Sequence, residues 1–110
     1  MPNPTNSLLH GTLEALILKT LASGPRHGYA IARWIEEATD ELLQIEEGSL
    51  YPALYRMERK GSIEFEWGMS ELNRRAKIYR LTPQGRQQLK LETEQWARFA
   101  GAISKVLLPA

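Results

Sequence analysis

The chain has 110 residues, of which 43% are apolar and 25% charged, which suits one compact domain and excludes disordered and fibrous classes. It contains no cysteine, so disulfide frameworks, thiolate metal sites and thiol nucleophiles are excluded. No apolar run approaches the ~20 residues that cross a bilayer, and the N-terminus lacks the layout of a secretory signal, so we expect a cytoplasmic protein.

The net charge of +1 conceals an uneven distribution along the chain. Residues 1–55 carry three Lys or Arg against seven Asp or Glu, a balance of −4, whereas residues 56–90 carry nine against four, a balance of +5. A basic segment in a nearly neutral protein indicates a localised contact with a polyanion. The alternative is a solvated charged face.

Two closely connected helices are predicted after a loose polar arm, Met1–Ser7. Apolar residues at helical spacing predict a first helix that stops at Ser23-Gly24-Pro25, and a second helix from about His27 to Ala38. The inner stripes are Leu13, Leu16, Ile17 and Leu21 in the first helix and Tyr29, Ala32, Ile35 and Glu36 in the second.

A third helix is predicted after the acidic stretch Asp40–Glu47, which we interpret as a loop with one buried turn. The helix opens near Gly48-Ser49, with Ser49 as its cap and Pro52 in the first turn, where N–H groups have no intrahelical partner. Gly61 ends it. The loop's buried residues are Leu42, Leu43 and Ile45, and the helix's inner stripe is Leu50, Leu54 and Met57.

A β-hairpin is predicted next. Ile63, Phe65 and Trp67 alternate with polar residues, as in a half-buried strand, and a second strand runs from about Ala76 to Leu81. The polar, basic segment Gly68–Arg75 joins the two strands. The hairpin would be a wing beside the third helix.

The last predicted element is a long helix that begins at Pro83, with Thr82 as its cap. The predicted fold is therefore mainly α with a small β-hairpin: a winged helix-turn-helix domain over residues 1–82 and a C-terminal dimerisation helix over residues 83–110. The apolar stripe of the last helix keeps a seven-residue rhythm through Leu89, Trp96, Phe99, Ile103 and Val106.

The third helix is the candidate for reading DNA, because the major groove admits an α-helix and presents a distinct pattern for each base pair. Its candidate contacts are Ser49, Tyr51, Tyr55, Arg56 and Arg59. Wing cations can follow the DNA backbone or enter a minor groove. The candidate wing contacts, placed on a flexible tip, are Asn73, Arg74, Arg75 and Lys77. The alternatives are that both tyrosines belong to the core and that the wing's charge is incidental.

Four blocks of the sequence resemble the PadR family of regulators along nearly the whole chain. Residues 48–61 form the most specific block and fit the pattern Gly-x-Leu-Tyr-Pro-x-Leu-x-Arg-x-Glu-x-x-Gly. The Leu-Thr-Pro-x-Gly turn that begins at Leu81 is shared with other winged-helix groups such as MarR-like proteins. The other matching blocks are Gly11–Leu18, Gly24–Ile31 and Tyr79–Gly85.

The resemblance implies a dimeric repressor that binds a roughly palindromic operator in double-stranded DNA and releases it when a small-molecule effector binds. It places Tyr51, Pro52 and Arg56 on the recognition helix and the hairpin's basic residues on the DNA backbone. Short members of the family dimerise through one C-terminal helix, so an effector pocket would form largely at the dimer interface.

A homodimer is also expected from the residues themselves, because the last helix is longer than a three-helix domain can cover. A two-fold dimer would set its recognition helices about one DNA turn, roughly 34 Å, apart. Trp96 and Phe99 have two interpretations: they form the core of the interface, or they line a pocket for a flat hydrophobic effector.

Two other classes of function were weighed. An enzyme is disfavoured because neither His10 nor His27 belongs to a catalytic or metal-ligand pattern, and we expect no metal and no cofactor. A winged helix that binds protein instead of DNA is the alternative function. Basic residues on the third helix and wing favour DNA, whereas Glu64 and Glu66 count slightly against it.

Overall fold

The computed structural model describes residues 11–109, so the predicted arm Met1–Ser7 lies outside the described residues. The predicted order of three helices, a hairpin and a long helix is confirmed. A two-residue strand, which is too short to show an alternating pattern, was not predicted. The helices are α1 (Leu13–Ala22), α2 (Gly28–Ala38), α3 (Glu47–Lys60) and α4 (Pro83–Leu107), and the strands are β1 (Arg26–His27), β2 (Ile63–Met69) and β3 (Arg75–Leu81).

The core lies where the first three helices pack against the base of the sheet. The inner stripes predicted for α1 and α3 are confirmed: Leu50, Leu54 and Met57 of α3 are each no more than 2% exposed, and Leu16 of α1 is partly buried against the core. Burying such side chains is worth roughly 1.5–3 kcal/mol each. The largest fully buried apolar side chains are Ile17, Leu18, Ile31, Ile35, Leu50, Leu54, Met57 and Ile63.

Helix α2 is capped by the side chain of His27, whose Nδ1 accepts a hydrogen bond from the backbone N–H of Ala30 at 3.3 Å. The inner stripe predicted for α2 is wrong at Tyr29, which is 66% exposed. The helix starts with Gly28 buried against Tyr51, and that phase directs Ile31 into the core and Tyr29 outward.

Residues 39–46 form a loop, as predicted, but its apolar residues are placed differently. Ile45 is buried, whereas Leu42 is exposed, so the prediction that Leu42 is buried is wrong. The backbone N–H of Ile45 donates a 2.8 Å hydrogen bond to the buried carboxylate of Glu36, which also accepts from Arg33 at 2.7 Å. This carboxylate thereby fixes the point where the chain enters α3.

The start of α3 also differs from the prediction. The cap is Glu46, which makes no side-chain capping bond, so Ser49 is a first-turn residue and not the cap. Pro52 is the sixth residue of the helix, not a first-turn residue, and its missing N–H leaves the Gly48 carbonyl without its intrahelical donor. The end is as predicted, because Gly61 adopts a left-handed conformation with φ of 82°.

The sheet has three antiparallel strands in the order β1-β3-β2. Tyr79 pairs with Phe65 and Lys77 pairs with Trp67, so these four side chains share one face of the sheet. This face packs against the core at the base of the sheet and faces α3 toward the tip of the hairpin. Glu64 pairs with Arg80 on the opposite face, where their side chains lie 3.0 Å apart.

The first turn of α4 is held against the end of α3. Thr82 caps α4 by accepting from the N–H of Gly85 at 3.0 Å, as predicted, and its hydroxyl also donates to the Gly61 carbonyl at 2.6 Å. Gln84 donates to the Lys60 carbonyl at 2.9 Å. Gly85 is buried, and a Cβ there would overlap the Ser62 carbonyl oxygen. The two helices therefore meet at one tightly packed joint.

Beyond this joint α4 runs beside α1 and then extends away from the core. Leu89 is partly buried against the core, but Trp96 and Phe99 are 56% and 66% exposed, and Ile103 and Val106 are exposed as well. Within residues 11–109, the distal half of α4 thus presents an uncovered apolar stripe of the kind predicted.

Candidate nucleic-acid interface

The exposed surface of α3 divides into three rows. With 3.6 residues per turn, Gly48, Pro52, Tyr55 and Arg59 point directly away from the buried stripe. Tyr51 and Glu58 line the side toward the sheet, and Ser49, Arg56 and Lys60 lie on the side toward α1. The row that faces outward is the one that can enter a DNA groove most deeply.

A groove of about 810 Å³ separates α3 from the sheet. Tyr51 and Tyr55 form part of the helix wall, and Trp67, Arg75 and Lys77 form part of the sheet wall. Tyrosines therefore line the helix side of the groove, whereas an aromatic ring and two cations line the sheet side. The groove brings together half of the predicted contacts, namely Tyr51, Tyr55, Arg74, Arg75 and Lys77. The other predicted contacts lie outside its lining: Ser49, Pro52, Arg56, Arg59 and Asn73.

Tyr51 lies against Gly28 of α2, where a Cβ would come within 2.8 Å of its ring. Burial raises the pKa of the Tyr51 hydroxyl, and the charge of Glu47 adds to the effect. Burial also raises the pKa of Tyr79 to about 12, with Glu58 and Tyr51 contributing. A tyrosine hydroxyl is protonated near neutral pH even with its ordinary pKa, and the raised pKa of these two phenols extends the protonated range to higher pH.

The cations of the sheet wall are fixed by aromatic rings. The guanidinium of Arg75 lies 4.3 Å from the centroid of the Trp67 ring, and Lys77 Nζ lies 4.1 Å from that of Phe65. Lys77 also reaches Glu58 of α3 at 3.5 Å. Such cation–π contacts restrict the positions of the charges without cancelling them.

The wing turn consists of residues 70–74. The N–H of Ser70 donates to the Arg74 carbonyl at 2.8 Å, and Asn73 adopts a left-handed φ of 58° that asparagine tolerates well. Asn73 and Arg74 belong to this turn, as predicted. Arg75 and Lys77 belong to β3 instead, so the prediction that they sit on the tip is wrong.

The cations near the groove fall into two classes. Among residues 11–109, the guanidiniums of Arg59, Arg74 and Arg75 make no ion pair with a carboxylate, and Arg59 packs against Tyr55 with its guanidinium 5.7 Å from the ring centroid. Arg56 and Lys60 are paired with Glu14 of α1, at 3.3 Å and 2.8 Å. Three positive charges are thus free to meet an anion.

Three residues with a place in or beside this interface were missed in the sequence. Tyr29 and Trp67 line the groove, although the spacing of each predicted a buried side chain. Glu14 holds two cations of α3 but lies more than 40 positions before them, and no local pattern could reveal that contact.

Residues 11–109 hold no group of three or more His, Asp or Glu that could hold a metal ion. Within the same range, no helix is long and apolar enough to cross a membrane. His27 serves as the helix cap described above.

The model of the "Transcriptional regulator PadR-like family" matches residues 17–91, which include α2, α3 and the whole hairpin. The chain belongs to the PadR-like family of transcriptional regulators. This confirms the resemblance seen in the sequence, and it identifies the chain as a regulator and not an enzyme.

Solved structures of transcriptional regulators, two of them described as PadR or PadR-like, share the fold. A transcriptional regulator from Clostridium thermocellum is 35% identical, with a TM-score of 0.84 over 92% of this chain and 98% of that one. A PadR-like transcriptional regulator from Bacillus cereus is 27% identical, with a TM-score of 0.79 over 94% and 99%. Bacillus subtilis PadR in complex with operator DNA is 28% identical, with a TM-score of 0.64; the match covers 72% of this chain and 44% of that protein.

Proposed function

We propose that this PadR-like regulator is a sequence-specific repressor that binds a roughly palindromic operator as a homodimer. The observation that carries the proposal is a pair of cations without a carboxylate partner: Arg59 on the outward row of α3, and Arg74 in the wing turn, which lines the groove. A helix in the major groove and a wing on the neighbouring backbone is the arrangement that such a surface suits.

Seven of the ten candidate DNA contacts have a role in this proposal that follows from their position. Arg59 and Tyr55 lie on the outward row of α3, where they can reach base edges, and Ser49 lies in the first turn, near backbone N–H groups suited to a phosphate. Arg74 and Arg75 contact the DNA backbone beside the major groove that α3 enters. Tyr51 and Pro52 shape the helix surface between them.

The dimer forms through α4, so residues 1–82 make the DNA-binding domain and residues 83–110 the dimerisation helix. The exposed stripe that includes Trp96, Phe99 and Ile103 supports this division, because a second copy of the helix would bury it. Burying a large apolar side chain contributes roughly 1.5–3 kcal/mol, so the stripe is the main source of association free energy in this proposal. A protein of this kind works on the chromosome, which suits the cytoplasmic location expected from the sequence.

A small hydrophobic effector would act at the same interface. A cavity of about 590 Å³ lies between α1 and α4, with Trp96 and Phe99 in its wall. Its volume suits a drug-sized molecule. A ligand in this position would change how α4 packs against its own domain and against a partner helix, and in the proposal this releases the operator.

The test is binding to the DNA upstream of the protein's own gene, with excess competitor DNA and increasing salt. We expect competitor-resistant binding that falls steeply with salt. The substitutions Arg59→Ala and Arg74→Ala should each weaken this binding. Arg74→Ala should also make the affinity fall less steeply with salt concentration. Arg80→Ala is the matched control, because Arg80 lies on the opposite sheet face. Failure of wild type on this DNA and on a genome-wide pool would instead support the protein-binding alternative.

A further inference from the structure

We propose that Glu14 restrains sequence-independent DNA binding by holding Arg56 and Lys60 back from phosphates. This inference rests on the proposed DNA-binding function and extends it to a residue of α1. Glu14 would therefore be a residue that sets affinity without touching DNA.

The geometry is a carboxylate shared between two cations. Glu14 Oε1 lies 2.8 Å from Lys60 Nζ, and Glu14 Oε2 lies 3.3 Å from Arg56 Nε. Both oxygens are thus occupied, each by a different side chain of α3. The carboxylate is about one quarter exposed, whereas the two cations are about half exposed.

The pairing can affect DNA binding because of where its two cations lie on α3. Arg56 and Lys60 lie on the flank of α3 next to the outward row that contains Arg59, so a DNA backbone flanking the helix would meet them. Glu14 comes from a different helix and reaches over that flank. Any phosphate that approaches Arg56 or Lys60 must compete with a carboxylate already in place.

The expected effect follows from counterion release. Each cation freed for a phosphate steepens the plot of log affinity against log salt by about 0.9. Glu14→Gln should therefore steepen the slope by about 1 to 2 per protomer and tighten binding to random-sequence DNA about tenfold at low salt. A shared carboxylate neutralises less than two full charges, which is why we expect a range.

The experiment measures binding of the full chain to a labelled random-sequence duplex by fluorescence anisotropy, over a series of NaCl concentrations. Glu64→Gln is the matched control, because it makes the same change in net charge but removes one of the two carboxylate partners of Arg80, on the sheet face away from α3. It should change the affinity and the slope far less than Glu14→Gln. Thermal unfolding of each variant shows that the fold is retained.

A second variant ties the gain to the two cations. Adding Arg56→Gln and Lys60→Gln to Glu14→Gln should abolish the gain, since no freed charge remains. The inference is overturned if Glu14→Gln leaves slope and affinity at the wild-type values, matches Glu64→Gln, or keeps its gain in the triple variant. Operator binding by wild type is measured in parallel. If wild type binds the operator, any of these three results removes only the proposed role of Glu14. If wild type binds no DNA, the proposed DNA-binding function is removed as well.

Discussion

Replacing Gly85 by alanine tests whether the joint between α3 and α4 is as tightly packed as the structure indicates. The added Cβ would overlap the Ser62 carbonyl oxygen and lie 3.0 Å from its carbon. These are backbone atoms, so no side-chain rotation can relieve the overlap. The first turn of α4 must move away from Ser62, which also carries the 3.2 Å hydrogen bond from the N–H of Thr82.

The cost can be worked from these contacts. Overpacking against rigid atoms costs roughly 1–3 kcal/mol, and a weakened Thr82–Ser62 hydrogen bond about 1 kcal/mol more. The better helix propensity of alanine returns about 1 kcal/mol. We therefore expect Gly85→Ala to lower the free energy of unfolding by roughly 1–3 kcal/mol, which for a chain of this size lowers Tm by about 4–12 °C.

Thermal unfolding followed by circular dichroism measures the change, and Gly101→Ala provides the control within the same helix. A Cβ at Gly101 meets nothing within 4 Å, so this variant should be more stable than wild type by about 0.5–1 kcal/mol through helix propensity alone. If Gly85→Ala were as stable as Gly101→Ala, the packing described for the joint would be refuted.

Two further predictions concern the dimer and the response to acid. Phe99→Lys should convert the dimer to monomer in sedimentation, because it places a charge in the apolar stripe, whereas Ala97→Lys on another face of α4 should leave the dimer intact; a dimeric Phe99→Lys variant would contradict the proposed interface. Arg33 holds the pKa of Glu41 below its usual value of 4.5, chiefly through a hydrogen bond. Since the folded-state pKa is the lower one, the stabilisation is present above pH 4.5 and is lost as the pH falls through the folded-state pKa. Glu41→Gln should therefore flatten the loss of stability below pH 4.5 in acid titrations of unfolding, and an unchanged profile would exclude this contribution.

Local signals in the sequence were sufficient to predict the order of the elements. Thr82-Pro83 gave the start of α4 and Gly61 the end of α3, because a cap and a left-handed residue act within one turn of the chain. The start of α3 depends instead on a carboxylate, Glu36, that binds the backbone of Ile45 nine positions later. A search for capping residues beside the helix therefore chose Ser49, three residues after the actual cap, Glu46.

The candidate site was predictable in its residue types and less so in its electrostatics. The alternation of β2 correctly places Trp67 on the same face as Phe65, but the strand extends past the core, so that Trp67 lines the groove instead of being buried. Arg56 and Arg59 look equivalent in sequence. Only the contact with Glu14, 42 positions away from Arg56, separates them into a paired and a free cation.

The joint at Gly85 makes α4 a lever with its pivot beside the last turn of α3. The helix has 25 residues and is about 37 Å long, so a tilt of about 5° at the pivot moves its far end by about 3 Å. In the proposed dimer, a small sliding movement between the far ends of the two α4 helices would likewise tilt each helix at its pivot and rotate the two DNA-reading domains in opposite directions. The distance between operator half-sites that the dimer can span would then be set by packing near Ile103, far from any base that it reads.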